Sequence, residues 1–553
     1  RLEAHVRFLS ADPFYPSKPR RVPFDELVLL TNGVGGMARL GVDLGHIKSK
    51  YDCLLGANLH SSVPTDRHIL AKRIRVWVNA DGFISALNRD NLVEFEAGPP
   101  ACWRFVANAG DGRTAEIHLE TDMPDQRNAT VLRFSRRPSA PALGKDLPST
   151  CDVRLTVRLD IEDRNFHWET KRNPGADHHF ASNCRPLRDK PGFEFTPAAD
   201  RQLRAYTDAG QYHHEGEWSE NIPHPVEQSR GQVGNGDAFS PGWFDLPIAK
   251  GQQVTLVVTA DLADLPADIV RDFASQRRAA QNLQCQRAGM PETDAVGRQL
   301  ALASHAFVVR RGSGKTVIAG YPWFLDWGRD SLICARGLLA AGLHDEVKQL
   351  LITFGRFEEN GTLPNSIHGE DASNRDTSDA PLWYGIVCEE AAAGDKALYE
   401  TAVDSRGRTV ARVLHGIAEG YKHGTPNGIR MDAQSALIWS PKHFTWMDTN
   451  FPAGTPRVGY PVEIQVLWIR LLRQLSRLGP NSDRQSWRAL AEQAEASLLK
   501  YFWIEEAGYL ADLLVAEAGQ PAAAAVPDNA IRNNSLFAVS FGPRYGPVTM
   551  AQV

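Results

Sequence analysis

The sequence has no close cysteine pair, no long apolar run and no excess of positive charge. Its seven cysteines, Cys53, Cys102, Cys151, Cys184, Cys285, Cys334 and Cys388, are scattered and odd in number. That spacing offers neither a zinc site nor a disulfide framework, and it fits a reducing, cytoplasmic setting. No stretch reaches the run of about 18 apolar residues that a membrane helix needs. Lysine and arginine total 61 against 66 acidic residues, a net charge of −5. Spread over the whole length, this excludes a protein that tracks nucleic-acid phosphates with a basic face. Arg1 is not a native start, so nothing about targeting is read from the N-terminus.

What is present is ordinary globular material of considerable length. The chain has 553 residues, 42% hydrophobic and 23% charged, enough for two large units or one large and two small. Residues 1 to 265 read as an antiparallel β-sandwich. Leu27–Leu30, Arg73–Val78, Val153–Leu159 and Val254–Val258 are short alternating runs, and Asn79-Ala80-Asp81-Gly82 is a turn signal. Residues 266–291 carry Arg, Gln and Ala in helical proportions and read as a helical linker. From 292 to 553 the period becomes helical, beginning with Val296, Leu300, Leu302 and Phe307. Further helices are expected over 329–342, 345–357, 380–393, 397–420, 460–478 and 484–501, with a last one starting near 531. Long Trp- and Pro-rich connections alternate with short ones. That suits an (α/α) toroid whose long loops gather at one mouth.

Several motifs fail on context. Gly33-Val34-Gly35-Gly36-Met37-Ala38 satisfies G-x-G-x-x-A, but Gly41 and Gly45 interrupt the required helix, so a tight β turn is expected. Gly312-Ser313-Gly314-Lys315-Thr316 lacks the first glycine of a phosphate loop, since position 309 is valine; it is also expected to follow a helix rather than a strand. His178-His179 and His213-His214, read as strand neighbours, point to opposite faces and chelate nothing. No metal or cofactor is expected.

Three segments carry chemistry. Tyr321-Pro322-Trp323-Phe324-Leu325-Asp326-Trp327-Gly328-Arg329-Asp330 opens a helix and sets two Trp, two Asp and one Arg within ten residues. Asp326 is equally readable as half of a structural Asp–Arg pair. The second segment runs from Leu363-Pro364-Asn365 to Asp379-Ala380-Pro381-Leu382-Trp383-Tyr384; Asp379 is placed to cap a helix at Pro381, and Trp383 to line a pocket. The third joins Phe444-Thr445-Trp446-Met447-Asp448-Thr449-Asn450 to Arg457-Val458-Gly459-Tyr460-Pro461-Val462-Glu463-Ile464-Gln465. Flat rings beside carboxylates and arginine are what a sugar site uses, since rings take C–H faces and polar groups take hydroxyls.

Trp327-Gly328-Arg329-Asp330, Asp379-Ala380-Pro381-Leu382-Trp383, Thr445-Trp446-Met447-Asp448 and Val462-Glu463-Ile464-Gln465 together resemble the motif series of the amylo-α-1,6-glucosidase (glycogen-debranching) family, in the same order. Phe502-Trp503, Gly508-Tyr509-Leu510 and Ile531-Arg532-Asn533 continue the likeness. Asn32-Gly33-Val34-Gly35-Gly36 and Lys50-Tyr51-Asp52 resemble that family's N-terminal domain. The resemblance implies an (α/α)6 toroid behind a β-sandwich. It also implies inverting hydrolysis of an α-1,6-linked glucosyl stub by two carboxyls about 6.5–9.5 Å apart. Asp448 matches the family's general acid. Trp327, Arg329, Asp330, Asp379, Trp383, Trp446, Arg457 and Glu463 match positions around its glucose pocket. Asp448 is expected to be buried beside Trp446, with Arg457 turned to substrate or to another acid.

The family's general base is a Glu near the end of the toroid. Only about eight helices are read before Val553, so the toroid is expected to be incomplete and no residue here matches the base. The partner expected is an α-glucan or oligosaccharide, with no nucleic acid and no membrane; the oligomeric state is unspecified. Two other functions fit the residues. One is an inverting α-glucosidase for another α-linked oligosaccharide. The other is a non-catalytic glycan-binding protein with a decayed site.

Overall fold

A computed structural model describes residues 26–139, 144–449 and 454–542. Residues 1–25 of the expected sandwich and 543–553 of the expected toroid lie outside the described residues. The chain divides into two compact units, Arg1–Arg310 with Gly320–Trp323, and Arg311–Ala319 with Phe324–Val553. Helices Ala267–Arg287 and Ala295–Ala306 therefore go with the first unit.

The first unit is built on two large sheets. One runs, in spatial order, Leu27–Thr31, Met37–Gly41, Cys53–Asn58, Arg67–Ala80, Val153–Asn165, Asn235–Ser240 and Glu217–Pro223. The other runs Cys184–Pro186, Gly192–Ala198, Arg201–Thr207, Gln253–Thr259, Ala129–Arg137, Arg113–Asp122, Ala101–Asn108 and Leu92–Glu96. Alternation decides which face is buried. Ile74, Val76 and Val78 lie opposite Leu159, Val157 and Leu155 across an antiparallel ladder, and all six are buried. They share one core with Trp103, Phe105, Ile117, Leu132 and Phe134 from the second sheet, the sandwich arrangement.

Gly33 and Gly35 take positive φ in the turn joining two antiparallel strands, so the glycine-rich motif is a hairpin and no βα unit follows. Asp81 and Gly82, both at positive φ, close the tight hairpin between Arg67–Ala80 and Phe83–Ala86, with the Asn79 side chain accepting from Gly82 N at 2.8 Å. Two decoys sit elsewhere than expected. Gly312-Ser313 lies between strands Val308–Arg311 and Gly314–Val317, so the Lys-Thr pair follows a strand and opens another. His178 and His179 lie on helix Pro174–Asn183, because Pro174 and the Asn173 cap start a helix there. His179 pairs with Asp163 at 2.9 Å. Among the described residues no cluster of His, Cys, Asp and Glu is suited to a metal.

The second unit is helical. Gly328–Ala340, Ala380–Ala392, Val462–Leu475 and Leu536–Ser540 pack on one another in succession. His344–Gly355 lies against the first two, Val410–His423 against the second and third, and Asn481–Phe502 against the third. Sequence decides which helices are internal. Ala380–Ala392 and Val462–Leu475 are buried nearly all round, whereas Asn481–Phe502 buries only a stripe containing Trp487, Ala491, Ala494 and Leu498. An inner row flanked by outer helices is the α/α toroid arrangement.

The helix expected over 397–420 is interrupted. A short 3-10 turn at Lys396–Glu400 ends there, and the α-helix begins at Val410. Asp404 accepts from Arg406 N and Arg408 N at 3.0 and 3.1 Å, folding the chain into a turn, and Thr409 then caps the helix. This local competition by an Asp side chain is invisible to periodicity.

Arg311 and Asp326 form a buried pair at 2.7 Å in the second unit. The remaining Arg311 donors go to the Gly369 and Ile367 carbonyls, so Asp326 is structural. Arg311→Ala leaves a buried carboxylate with no cation, and it is expected to cost about 3–5 kcal/mol in urea unfolding of the second unit. A loss below about 1 kcal/mol would show that the pair behaves as a surface contact.

Candidate active site

The site grows from three helix starts and a loop. Gly328 opens helix Gly328–Ala340 against a neighbouring strand of chain, where a Cβ would sit 2.3 Å from the Pro364 carbonyl oxygen. Only glycine permits that approach, and it sets Arg329 in the first turn, pointing at Asp379. Asp379 stands at the N-cap position of Ala380–Ala392, yet its carboxylate does not cap. The Thr377 hydroxyl does so instead, accepting from Ala380 N at 3.2 Å. The Asp379 carboxylate accepts from Arg329 Nε at 2.8 Å and from the Thr377 hydroxyl at 2.7 Å. The capping expected of Asp379 is thus taken over by Thr377, because a buried arginine competes for the carboxylate.

Arg329 then reaches across the chain. Its Nη1 donates to Asp448 Oδ2 at 2.9 Å. Asp448 lies in a loop without helix or strand. The loop is fastened beside Asp379, since Ser378 N donates to the Phe444 carbonyl at 2.7 Å. Burial alone disfavours the charged Arg329 guanidinium, and the two carboxylates more than offset this, raising its pKa above the ordinary arginine value. Asp330 is next along the helix. Its pKa is raised by desolvation and by the nearby Asp379 and Asp448 charges, with Arg329 opposing.

A second layer lies behind. Arg457 pairs with both Glu463 and Asp512, and all three are about 1% exposed. Arg457 adopts φ +51°, the left-handed region that costs a non-glycine residue of order 1–3 kcal/mol; the two buried carboxylates hold it there. Asp512 also accepts from Asn534 at 2.7 Å and from Arg532 at 2.8 Å. Asn534 in turn accepts from the Trp446 indole N–H at 2.8 Å. The chain of contacts therefore returns to the Asp448 loop. Gly459, at φ +124° with the Leu514 carbonyl 2.2 Å from where a Cβ would be, brings the Arg457 and Asp512 segments together. Glu463 is pushed up to about 7, mainly by burial, with Asp512 and Asp379 adding repulsion and Arg457 opposing. Asp528 also pairs with Arg532, so three acids face two arginines, and burial keeps a proton on Glu463 close to neutral pH.

Of the residues expected from the sequence, Arg329, Asp330, Asp379 and Asp448 are brought together. Glu463 and Arg457 stand behind them, with Arg457 on acids other than Asp448. Trp327 starts the first helix and meets Phe324 edge-on at 6.4 Å. Two tryptophans differ from expectation. Trp383 is 4% exposed and packs edge-on to Phe537 and Phe541, so its ring fills the interior between helices instead of lining a pocket. Trp446 is 43% exposed, and the Asp448 side chain keeps 37% of its surface. Asp448 is therefore not buried beside Trp446, whose indole N–H is turned to Asn534. Asp512, Asn534 and Thr377 were not anticipated. Asp512 had one signal, a lone acid inside the apolar run Leu510–Leu514.

The chain matches two family models. One, described as amylo-alpha-1,6-glucosidase, covers residues 302–547. The other, described as glycogen debranching enzyme N terminal, covers residues 27–255. No curated protein sequence matches it. Among solved structures it is similar to a bacterial glucoamylase complexed with acarbose, at 13% identity and TM-score 0.49, covering 93% of this chain and 78% of that one. It is also similar to a putative kojibiose phosphorylase from the human microbiome, at 10% identity and TM-score 0.44, covering 88% and 69%.

Glu463 makes a testable pH signature. Folded, it keeps its proton to about pH 7, whereas its ordinary value is 4.5. Between these values folding takes up a proton, so this group's contribution to stability falls as pH rises. Glu463→Gln removes the titration. Wild type is expected to lose melting temperature relative to the Gln variant from pH 4.5 to 7, and then to run parallel. A difference that stays constant across that window contradicts the assignment.

Proposed function

We propose that this chain, which belongs to the amylo-α-1,6-glucosidase family of glycogen-debranching enzymes, is a glycoside hydrolase of α-glucans that releases glucose from α-1,6-linked branch stubs with inversion. The observation that carries the reading is the Arg329 bridge between Asp379 and Asp448. It immobilises a carboxyl on an otherwise irregular loop while leaving it partly open to solvent. Asp379 is spent on Arg329 and buried, so it is a positioning residue. Asp448 has one oxygen engaged by Arg329, and its other oxygen is the one available to a glycosidic oxygen.

In this reading Asp448 is the general acid. It delivers a proton to the leaving oxygen as the C1–O bond breaks, and water adds to C1 from the opposite face of the sugar. Arg329 fixes the rotamer of Asp448 and stabilises the carboxylate left after transfer, which lowers the cost of departure. Asp330, exposed beside it, is suited to a sugar hydroxyl. Trp446, exposed, and Trp327, half-buried, are suited to the flat C–H faces of neighbouring glucose units. The buried Arg457–Glu463–Asp512 group holds the floor on which the loop rests.

The direct test uses the full chain and an oligosaccharide bearing a single α-1,6-glucosyl stub, with the anomer of released glucose followed by NMR. β-Glucose as first product is expected. Asp448→Asn keeps the side-chain shape and removes the proton donor, so turnover should fall by at least about a hundredfold with the melting temperature nearly unchanged. Near-wild-type turnover in the variant refutes the acid role. Release only from other linkages would move the substrate to another α-linked oligosaccharide, and sugar binding without release would leave a binding protein.

A further inference from the structure

Within the second unit a cleft of about 410 Å³ opens between the segments Asn427–Ala433 and Trp439–Pro441 on one side and the turn Ala518–Pro521 on the other. It lies within the about 300–1,000 Å³ typical of ligand sites. Trp439, Met431 and Pro441 supply apolar surface, with the buried Tyr460 behind them, and Arg430 and Gln520 supply polar groups at its edge. None of these residues belongs to the Arg329 cluster or to the Arg457 layer behind it.

The two walls are joined by their polar ends. The Trp439 indole N–H donates to the Ala516 carbonyl at 3.0 Å. The Tyr460 hydroxyl donates to the Gln520 carbonyl at 2.7 Å. Asp432 accepts from Ala522 N at 3.3 Å and from the Ser435 hydroxyl. The polar ends of both rings are thus satisfied by backbone, so the apolar part of Trp439 lines the cleft, backed by Tyr460, without a buried N–H or O–H wanting a partner. A rigid cleft that presents ring surface rimmed by Arg and amide groups is matched to a sugar, which carries C–H faces bordered by hydroxyls.

Connectivity links the cleft to the catalytic cluster. Tyr460 lies on strand Gly459–Pro461, between Arg457 and Glu463 in sequence. Ser440, next to Trp439, donates to the Ser378 hydroxyl at 2.9 Å, and Ser378 adjoins Asp379. We infer that the cleft is a second glucan site, one that holds an unbranched α-1,4 segment of the same polymer while a stub is processed at Asp448. The inference rests on the α-glucan reading of the active site and adds a separate subsite to it.

Maltoheptaose is the probe, because it has no α-1,6 bond to cut. Two variants address the cleft: Ala518→Trp fills it from an exposed turn, and Trp439→Leu removes the ring. Calorimetric binding of maltoheptaose should weaken in both by about tenfold, a loss of about 1.4 kcal/mol. KM for a glycogen limit dextrin should rise in step, while kcat, and both constants for a short oligosaccharide with one α-1,6 stub, stay at wild-type values. Unchanged maltoheptaose binding in the Ala518→Trp variant, with its melting temperature retained, overturns the site. So does a wild type that binds no maltoheptaose. If the wild type binds maltoheptaose through the cleft yet hydrolyses no α-1,6 stub, the cleft stands and the catalytic proposal fails.

Discussion

One guanidinium organises the second unit. Arg329 is buried, and Asp379 and Asp448 face it at 2.8 and 2.9 Å, with Asp379 the larger offset to the cost of burying its charge. The three residues come from a helix start, a helix N-cap and a loop, over a hundred positions apart. A buried ion pair contributes little net stability once desolvation is counted, and its main effect is to specify one arrangement over others. Here it determines where Asp448 stands. The loop that carries Asp448 has no helix or strand to fix it, so the orientation of its carboxyl depends on the arginine.

The layer behind follows the same logic, one arginine again facing two carboxylates. Arg457 meets two buried acids, and Arg532 shares Asp512 and adds Asp528. With more acids than arginines the cost of full ionisation falls on Glu463, which burial pushes up. The contacts from Glu463 through Arg457, Asp512 and Asn534 end at Trp446, two residues before Asp448. The Asp448 loop is therefore held from two directions, by Arg329 and by the Trp446–Asn534 hydrogen bond.

Much of this was legible in the sequence, for identifiable reasons. Period-two runs such as Arg73–Val78 and Val153–Leu159 pair along most of their length, Ile74–Val78 with Leu155–Leu159, since one face of each had to be buried. Gly328 was legible as part of a motif, although the close carbonyl that requires glycine came from a segment more than thirty residues away. Composition could not separate Trp383, which fills the interior, from Trp446, which stays exposed; the same ring serves either place, and long-range packing decides. Nor could it show that Thr377 would cap the helix in place of Asp379, because a cap competes with any buried arginine that arrives from elsewhere. Asp512 and Asn534 were missed since their partners lie 55 and 88 positions away.

The central claim is that Arg329 presents Asp448 to a glycosidic oxygen. It is tested most directly by a crystal structure of the Asp448→Asn variant with a bound oligosaccharide carrying an intact α-1,6 stub. The account predicts the scissile oxygen within about 2.6–3.2 Å of the residue 448 side chain, with Arg329 still donating to that side chain's other end and to Asp379. A stub bound with its scissile oxygen next to Asp330 or elsewhere, and residue 448 turned away from it, would contradict the account.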